Sequence, residues 1–422
     1  MFLEKKGDQI QLNSNSLVVG FDLGESVSQI SYSKMAQEEP ETLAVIAGTQ
    51  QYGIPTVLCK RFEVNQWFFG REALKYASEG EGTLIEGLLT KARAGDAILI
   101  EQQEYDPIAL LSLFVKRSFS LIKMAAGEGE ISAAMLTVDD LDGRMAEVMT
   151  LVSAEIPVSK DMVFFQSHEE SAFYYMMKQP KDLWNRDVAI YDLTADGLRA
   201  YCMELSRRTI PTVAFMPQQS YPGFLQNDDH FLDIVTEWSK GKIINTVYLI
   251  GDAFQEEWWT KSQKYLCQNR RVFQGNNLFS KGAVYAVKER LIPTEITSDY
   301  ILLGRDKLKA NIGMKVIREG AESYFVLLNA GEKWYEAGKE FDFILESGNK
   351  ISVLVTPLNK EEKRIAEIAL SGLPMRPKRT TRIRMQISMK NEATVVFRFK
   401  DMGFGEFYKS SGIEWVEEMD LS

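Results

Sequence analysis

The amino-acid sequence predicts an α/β region followed by a separate all-β domain. From Leu17 to about Pro293, short apolar runs alternate with segments whose apolar residues recur at helical spacing. Beyond Pro293, short alternating segments separated by Gly, Asn and Lys turns replace that pattern. The length of 422 residues and the hydrophobic content of 45% are sufficient for two or three domains with buried cores.

The α/β region divides into predicted elements in chain order. The predicted strands are 17–21, 28–32 after a tight turn, 54–57, 133–138, 188–192 with its hairpin partner 198–205, and 246–250. The predicted helices begin near residue 70, at 106, at 139, near Glu169, at 229 and at 282. Pro107 suits the first turn of a helix over 106–124, Asp140 or Asp142 caps the next one, and Pro293 ends the last.

The all-β domain has predicted strands at 323–328, 350–356, 366–370, 381–388 and 393–399. Two of its features allow two interpretations each. An apolar stripe either lines a peptide groove or forms a sandwich core; its members are Val353, Val355, Ile387, Val396 and Phe397. A basic run is either a solvated face or a docking site for an acidic partner or the acidic tail; its members are Arg376, Lys378, Arg379, Arg382 and Arg384.

Composition excludes several function classes. The formal net charge of -10 disfavours binding to the phosphate backbone of nucleic acids. No stretch reaches the ~18–20 apolar residues that cross a bilayer, so we expect no membrane partner. Three widely spaced cysteines fit neither a disulfide framework nor a structural zinc site, which favours a cytoplasmic location. With His168 and His230 alone, a histidine-rich metal centre is excluded.

Short motifs follow one another in order along the chain. In the α/β region they are residues 18–24 (VVGFDLG), 54–57 (IPTV), 70–73 (GREA), 134–138 (AMLTV), 169–172 (EESA), 191–193 (YDL), 247–251 (VYLIG) and 282–284 (GAV). Beyond it they are residues 300–303 (YILL), 311–313 (NIG) and 370–374 (LSGLP). Their collinear order resembles that of the 70-kDa heat-shock (DnaK-type) chaperones, a family of the actin-like ATPase superfamily.

This resemblance implies an actin-like, two-lobed nucleotide-binding fold followed by a β-sandwich similar to a substrate-binding domain. The implied parts are a polar N-terminal segment 1–14, an ATPase-like domain 15–293 with lobes of about 15–186 and 187–293, a linker 294–304, a β-sandwich 305–405 and an acidic tail 406–422. The chain differs from the family in being short between Ser206 and Asp229 and in ending without a helical lid.

The resemblance also implies a site. In this superfamily two glycine-rich hairpins hold the phosphates through backbone N–H groups, while acidic residues hold Mg²⁺ and the attacking water. By position, Asp22, Glu169 and Asp192 are the implied catalytic acids, with Asp22 and Asp192 also as the implied metal ligands. The implied contacts to ATP or ADP come from Gly20, Gly24, Ser26, Gly197, Gly251 and Gly282. Alternatively, Asp22 and Asp192 merely end strands.

Each of the three nucleotide-facing loops carries a carboxylate that the family pattern lacks. These are Glu25, Asp196 and Asp252. A carboxylate ~4 Å from a phosphate charge costs on the order of 4 kcal/mol at a protein surface. The sequence therefore predicts an ATP-binding domain with weak or lost hydrolysis, unless these acids point away from the phosphates.

We therefore expect a chaperone-like protein-interaction module whose β-domain binds a polypeptide or protein partner. Binding of ATP or ADP with Mg²⁺ is expected to be weak or absent. Two alternatives stay open at this stage: an active ATPase of the heat-shock type, and an actin-like assembly or scaffold protein.

Overall fold

The computed structural model describes residues 14–421 apart from 47, 63, 65, 127–129, 208–209, 319 and 359–362. The predicted polar segment 1–14 thus lies almost wholly outside the described residues. The chain divides into two compact units, Met1–Tyr300 (unit 1) and Ile301–Ser422 (unit 2). Among the described helices, none combines the length and apolar character needed to cross a bilayer.

The first half of unit 1 contains a mixed sheet flanked by helices. Its strands are β1 (Leu17–Asp22), β2 (Val27–Lys34), β3 (Glu41–Thr42), β4 (Ile54–Pro55), β5 (Leu58–Arg61), β6 (Trp67–Phe69), β7 (Gly82–Ile85), β8 (Ile98–Ile100), β9 (Gln103–Tyr105), β10 (Ile131–Val138) and β11 (Val163–Ser167). Its helices are α1 (Gly70–Ser78), α2 (Leu88–Ala94), α3 (Pro107–Ala126), α4 (Gly143–Ser153) and α5 (His168–Met177). The first sheet has the order β11-β10-β1-β2-β3.

The second half of unit 1 contains a second mixed sheet. Its strands are β12 (Asp187–Thr194), β13 (Gly197–Ser206), β14 (Thr212–Phe215), β15 (Gln218–Pro222), β16 (Ile244–Ile250) and β17 (Arg271–Gly275). Its helices are α6 (Lys181–Trp184), α7 (Asp228–Ser239), α8 (Thr260–Leu266), α9 (Leu278–Leu291) and α10 (Glu295–Asp299). The order within unit 1 is β17-β16-β12-β13-β14, and β15 also pairs with β13.

The two sheets share one topology. In the first, β1 is antiparallel to β2 and parallel to β10, and β10 is parallel to β11. In the second, β12 is antiparallel to β13 and parallel to β16, and β16 is parallel to β17. The β1–β2 turn and the β12–β13 turn therefore occupy equivalent places, next to the carboxyl ends of the parallel strands.

Helix α9 belongs by sequence to the second half but packs against β1, β2, β10 and α5. Two glycines permit this close packing. A Cβ at Gly20 would lie 2.3 Å from the backbone oxygen of Ser280, and a Cβ at Gly282 would lie 1.9 Å from that of Ser171. Around them, Val18, Met135, Val284 and their neighbours form a buried apolar cluster. The helix thereby fixes α5, which carries a residue of the candidate site.

The predicted α/β character of this region is confirmed, and most predicted elements are present with shifted ends. The helix predicted over 106–124 spans Pro107–Ala126. Asp142, not Asp140, caps α4, because its Oδ1 accepts a hydrogen bond from the Met145 N–H at 2.8 Å. The helix predicted to begin at Gly282 begins at Leu278.

Unit 2 consists of two antiparallel four-stranded sheets. After β18 (Tyr300–Leu303), which crosses the boundary between units, its strands are β19 (Ala310–Arg318), β20 (Ala321–Leu328), β21 (Gly338–Ile344), β22 (Lys350–Pro357), β23 (Arg364–Ala369), β24 (Arg382–Met389), β25 (Thr394–Gly403) and β26 (Glu414–Asp420). The orders are β20-β19-β22-β23 and β21-β24-β25-β26. One core contains buried side chains from both sheets, including Val353, Ile387 and Phe397 of the apolar stripe.

Two predicted boundaries are wrong. The linker predicted at 294–304 contains α10 and β18. The acidic tail predicted at 406–422 contains β26, which pairs with β25 and extends the sheet to Asp420. Trp415 of β26 packs against the core, while its acidic residues pair with lysines of the sheet, as Glu414 does with Lys400 at 2.6 Å. Glu414 and Glu418, which alternate with Trp415 and Met419, thus lie on the face of β26 that points away from the core.

Intramolecular ion pairs involve several members of the basic run of unit 2. Arg376 forms a two-point contact with Asp401, with N–O distances of 2.8 and 2.7 Å, and both side chains are buried. Asp401 also accepts the backbone N–H groups of Gly403 and Ser411. Arg379 pairs with Glu346 at the surface. The described contacts of Arg376 and Arg379 therefore favour a structural role over docking of an external acidic partner.

Unit 2 should lose stability as the pH falls below about 5, because of Asp401. The Arg376 guanidinium holds the pKa of Asp401 well below its ordinary value, with help from the N–H groups of Ser411 and Gly403. The unfolded carboxyl titrates near its ordinary pKa of about 3.9. Protons then bind preferentially to the unfolded chain, so stability present at neutral pH falls by on the order of 2 kcal/mol as the pH approaches 2.

Hydrogen exchange of the β25 amides, measured on the full chain between pH 5 and pH 2 and corrected for intrinsic exchange rates, checks this expectation. Asp401→Asn is the control, since it removes the titrating group and should flatten the pH dependence. Equal pH dependence in the wild type and in Asp401→Asn would contradict it.

Candidate functional site

A cavity of about 640 Å³ lies in unit 1 where the two sheets present equivalent ends. It is lined by the β1–β2 turn, the β12–β13 turn, and the segments that follow β10, β16 and β17. Parallel strands place ligand sites beyond their carboxyl ends, because loops and helix starts converge there. Because the cavity lies beyond the carboxyl ends of the parallel strands of both sheets, it is the candidate site.

An imidazole–carboxylate pair lies in the first half of the cavity. His168 begins α5, and its Nε2 lies 2.7 Å from Oδ1 of Asp22 at the end of β1. The His168 ring is buried and stacks on Phe279 of α9 with 4.1 Å between ring centroids. Burial by itself lowers the pKa of His168, but the nearby carboxylates, Asp22 first, raise it above its ordinary value. The neighbouring carboxylates therefore favour the protonated form of the imidazole.

A second ion pair crosses the cavity and joins the two halves of unit 1. Arg199 of β13 pairs with the carboxylate of Asp139, which follows β10. The Arg199 Nε also donates to Ser220 Oγ at 3.2 Å. Nearby, Ser26 Oγ of the first turn donates to Asp196 Oδ2 of the second turn at 3.5 Å. Protein side chains thus bridge the two turns directly.

Asp192 differs from the other acids of the cavity. It lies near the end of β12, lines the cavity and is only 6% exposed. Burial raises the pKa of Asp192 to about 7, against the opposing effects of His168 and Arg199. Among the described residues, no side chain or backbone group donates a hydrogen bond to its carboxylate, because the two nearby cations donate to other acceptors. Its carboxylate therefore has unused acceptor capacity.

Three of the predicted nucleotide contacts line the cavity. These are Gly24, Ser26 and Gly251. Gly251 has a positive φ of 113°, and a Cβ there would lie 2.2 Å from the backbone oxygen of Leu193. A glycine is therefore required for β16 to approach the end of β12 at this point.

The other predicted site residues lie outside the cavity lining. Gly20 and Gly282 permit the packing of α9, as described above. Gly197 has a φ of 135° and shapes the β12–β13 turn, where a Cβ would meet the backbone oxygen of Tyr221 at 2.4 Å. Glu169, in the first turn of α5, is buried. The structure thus brings together Asp22 and Asp192 but not Glu169 at the cavity surface.

The carboxylates of the three loops have protein partners. Glu25 accepts a hydrogen bond at 3.2 Å from the backbone N–H of Thr90 in the first turn of α2. Asp252 accepts one at 2.9 Å from the side-chain amide of Asn276. All three loop acids nevertheless line the cavity. Lys91 donates to the backbone oxygen of Glu86 at 2.6 Å and is not part of the lining.

The described lining is strongly acidic. Its carboxylates are Asp22, Glu25, Asp139, Asp192, Asp196 and Asp252. Its cationic side chains are Arg199 and His168, and each is paired with one of those acids. In the described part of the chain, no group of three or more His, Cys, Asp or Glu side chains is arranged to hold a metal ion. The charge of the lining disfavours an anionic ligand.

Sequence reasoning missed Asp139 and underestimated His168 and Arg199. Asp139 directly follows a buried strand whose carboxyl end meets the site, and that position was the available signal. Arg199 is not among the site residues that the sequence predicts. Its partner, Asp139, is 60 positions away in sequence, so no local pattern connects the two.

Comparison with known proteins divides the chain a few residues after the structural boundary between Tyr300 and Ile301. Residues 39–305 match the model described as "Family of unknown function (DUF5716) C-terminal". Residues 307–421 match a "Domain of unknown function (DUF8552)". No curated protein matches the chain. The resemblance to the heat-shock chaperones stays a prediction.

Proposed function

The chain belongs to the family of unknown function DUF5716, and we propose that it is a chaperone-like protein-interaction module built on a degenerate nucleotide-binding domain. In this proposal, unit 1 is an actin-like, two-lobed scaffold with weak or lost ATP hydrolysis. Unit 2 binds a polypeptide or protein partner.

The repeated topology of unit 1 supports the actin-like assignment. Two sheets with the same strand order and directions face one cavity with equivalent turns. A glycine-rich turn in each half is the arrangement through which backbone N–H groups of such a fold hold phosphates. Here the turns retain Gly24 and Gly197 but also carry Glu25 and Asp196.

One observation carries the loss of nucleotide binding: the ion pairs Asp22–His168 and Asp139–Arg199 occupy the acids and the arginine that face the cavity. A triphosphate would enter beside six carboxylates, and Arg199, the arginine of the described lining, already bonds Asp139. Each close carboxylate–phosphate contact costs on the order of 4 kcal/mol at an effective dielectric constant of 20. Two such contacts offset the roughly 8 kcal/mol of a micromolar ligand.

The alternative, an active ATPase, is favoured by one property of Asp192. A buried carboxyl whose pKa is raised to about 7 suits a general base near neutral pH. As a general base, Asp192 would have to act on a water molecule beside bound phosphates. The acidic residues of the lining oppose the binding of phosphates, so we rank this function second.

A surface depression supports the binding role of unit 2. It has a volume of about 640 Å³ on the β20-β19-β22 sheet, and its apolar wall includes Tyr324, Val326 and Leu354. Lys315 lies at the same depression. Strands β20 and β23 are the edges of this sheet, and an edge strand can pair with an added peptide strand.

Calorimetric titration of the full chain with ATP or ADP, with and without Mg²⁺, tests the proposal. We expect no binding at millimolar nucleotide, because the acidic lining and its internal ion pairs oppose the phosphates. Magnesium-dependent micromolar binding, accompanied by ATP turnover that Asp192→Asn abolishes, would instead establish the active ATPase and overturn the scaffold.

A further inference from the structure

We propose that the cavity of unit 1 binds a small organic cation of the primary-amine class, with the Asp192 carboxylate as its principal acceptor. This inference rests on the proposed loss of nucleotide binding, since the same cavity cannot hold a triphosphate at the same time. The proposed function says only that the charge of the cavity opposes anions. The inference adds the class of ligand that this charge favours.

The charge of the lining determines the class of ligand. Six carboxylates face the cavity together with two cationic side chains, so an excess of negative charge persists after the two ion pairs form. A cleft lined by one sign of charge concentrates counter-ions of the opposite sign. A cationic ligand is therefore attracted to this cavity, whereas phosphates are repelled.

Asp192 supplies an observation independent of that charge excess. Its side chain is more than nine-tenths buried, lines the cavity and accepts no hydrogen bond from the described residues. Its acceptor positions face the cavity, where a donor that enters can form the hydrogen bonds that no described protein group supplies. An ammonium group offers three donors and no acceptor, which suits Asp192 together with the neighbouring acids.

The remaining lining favours an organic cation over a metal ion. In the described part of the chain, the acids are not placed so that three of them could ligate one ion. The lining also contains apolar side chains, among them Phe224, Leu225 and Val27. A volume of about 640 Å³ accommodates several methylene groups as well as the charged end. Methylenes against these apolar side chains and an ammonium at Asp192 describe an alkylamine.

Spermidine is the probe, titrated into the full chain by calorimetry at low ionic strength, with thermal unfolding as a second readout. We expect one saturable site and a rise in the unfolding temperature of unit 1. Asp192→Asn keeps the shape but removes the charge, and we expect it to weaken binding at least about tenfold, as for loss of a hydrogen bond to a charged group. Asp161→Asn makes the same change at an exposed position outside the cavity and should leave binding unchanged.

The outcomes separate this inference from the proposed function. No saturable spermidine binding at millimolar concentration, or binding that survives Asp192→Asn, would overturn the amine site. If ATP also fails to bind, the scaffold proposal still stands. Binding of MgCl₂ alone at the same site, shown by displacement of spermidine, would assign an inorganic cation instead and also overturn the inference. Binding of Mg–ATP would overturn the proposed function itself.

Discussion

Replacing Arg376 by alanine is expected to destabilise unit 2 by about 3–5 kcal/mol, the usual effect of removing one partner of a buried ion pair. The Arg376 guanidinium is 5% exposed and forms two hydrogen bonds to Asp401, whose side chain has no exposed surface. Without the guanidinium, Asp401 would be a buried carboxylate without a cationic partner, held by the N–H groups of Gly403 and Ser411 and by the Ser411 hydroxyl. The Arg376 guanidinium also donates to the backbone oxygen of Lys409, which would lose this donor.

Urea unfolding of the full chain, followed by hydrogen exchange of the β24 and β25 amides, measures this loss. Arg384→Ala is the matched control, because Arg384 also forms a two-point contact with an aspartate, Asp342, but is 43% exposed. An exposed pair contributes about 0–1 kcal/mol. Similar losses for Arg376→Ala and Arg384→Ala would contradict the assigned role of burial.

The basic run shows what a local pattern determines and what it does not. The density of arginines between 376 and 384 is visible in the sequence, but their partners come from distant segments. Asp401 follows Arg376 by 25 positions, while Asp342 precedes Arg384 by 42. Strand alternation predicted most strands of unit 2, because one face of each is buried. It missed β19, β21 and β26. In β26, many glutamates obscure the two core-facing residues Trp415 and Met419.

The candidate site was also predicted only in part: the sequence indicated two of its acids but not their partners. Asp22 ends the apolar strand β1 and Asp192 lies near the end of the apolar strand β12, and that local signal placed both at one cavity. No pattern in the neighbouring sequence marks His168 or Arg199 as a site residue. Their roles depend on non-local contacts. His168 follows β11, and the pairing of β11 with β10 and of β10 with β1 brings it to Asp22. Arg199 of the second half pairs with Asp139 of the first half. Non-local pairing of this kind has no signature in one sequence.

The second large effect concerns Gly282, and we expect Gly282→Ala to destabilise unit 1 by about 3 kcal/mol, at the upper end of overpacking costs. A Cβ at this position would lie 1.9 Å from the backbone oxygen of Ser171, so α9 and α5 would have to move apart. In an unconstrained helix the same change would stabilise by about 1 kcal/mol, so the sign of the effect reports on this packing. Because α5 begins with His168, its displacement should also disturb the contact between His168 and Asp22.

Denaturant unfolding monitored by exchange of the β1 and β10 amides measures the stability loss, and the chemical shift of the His168 ring in the folded state reports on the site. Gly275→Ala is the control, since a Cβ at Gly275 meets no atom within 4 Å. We expect that variant to unfold within about 0.5 kcal/mol of the wild type, as for most surface substitutions. If Gly282→Ala were equally stable, α9 would not be held against α5 by direct backbone contact. The position of His168, and with it the arrangement of the cavity, would then depend on other contacts.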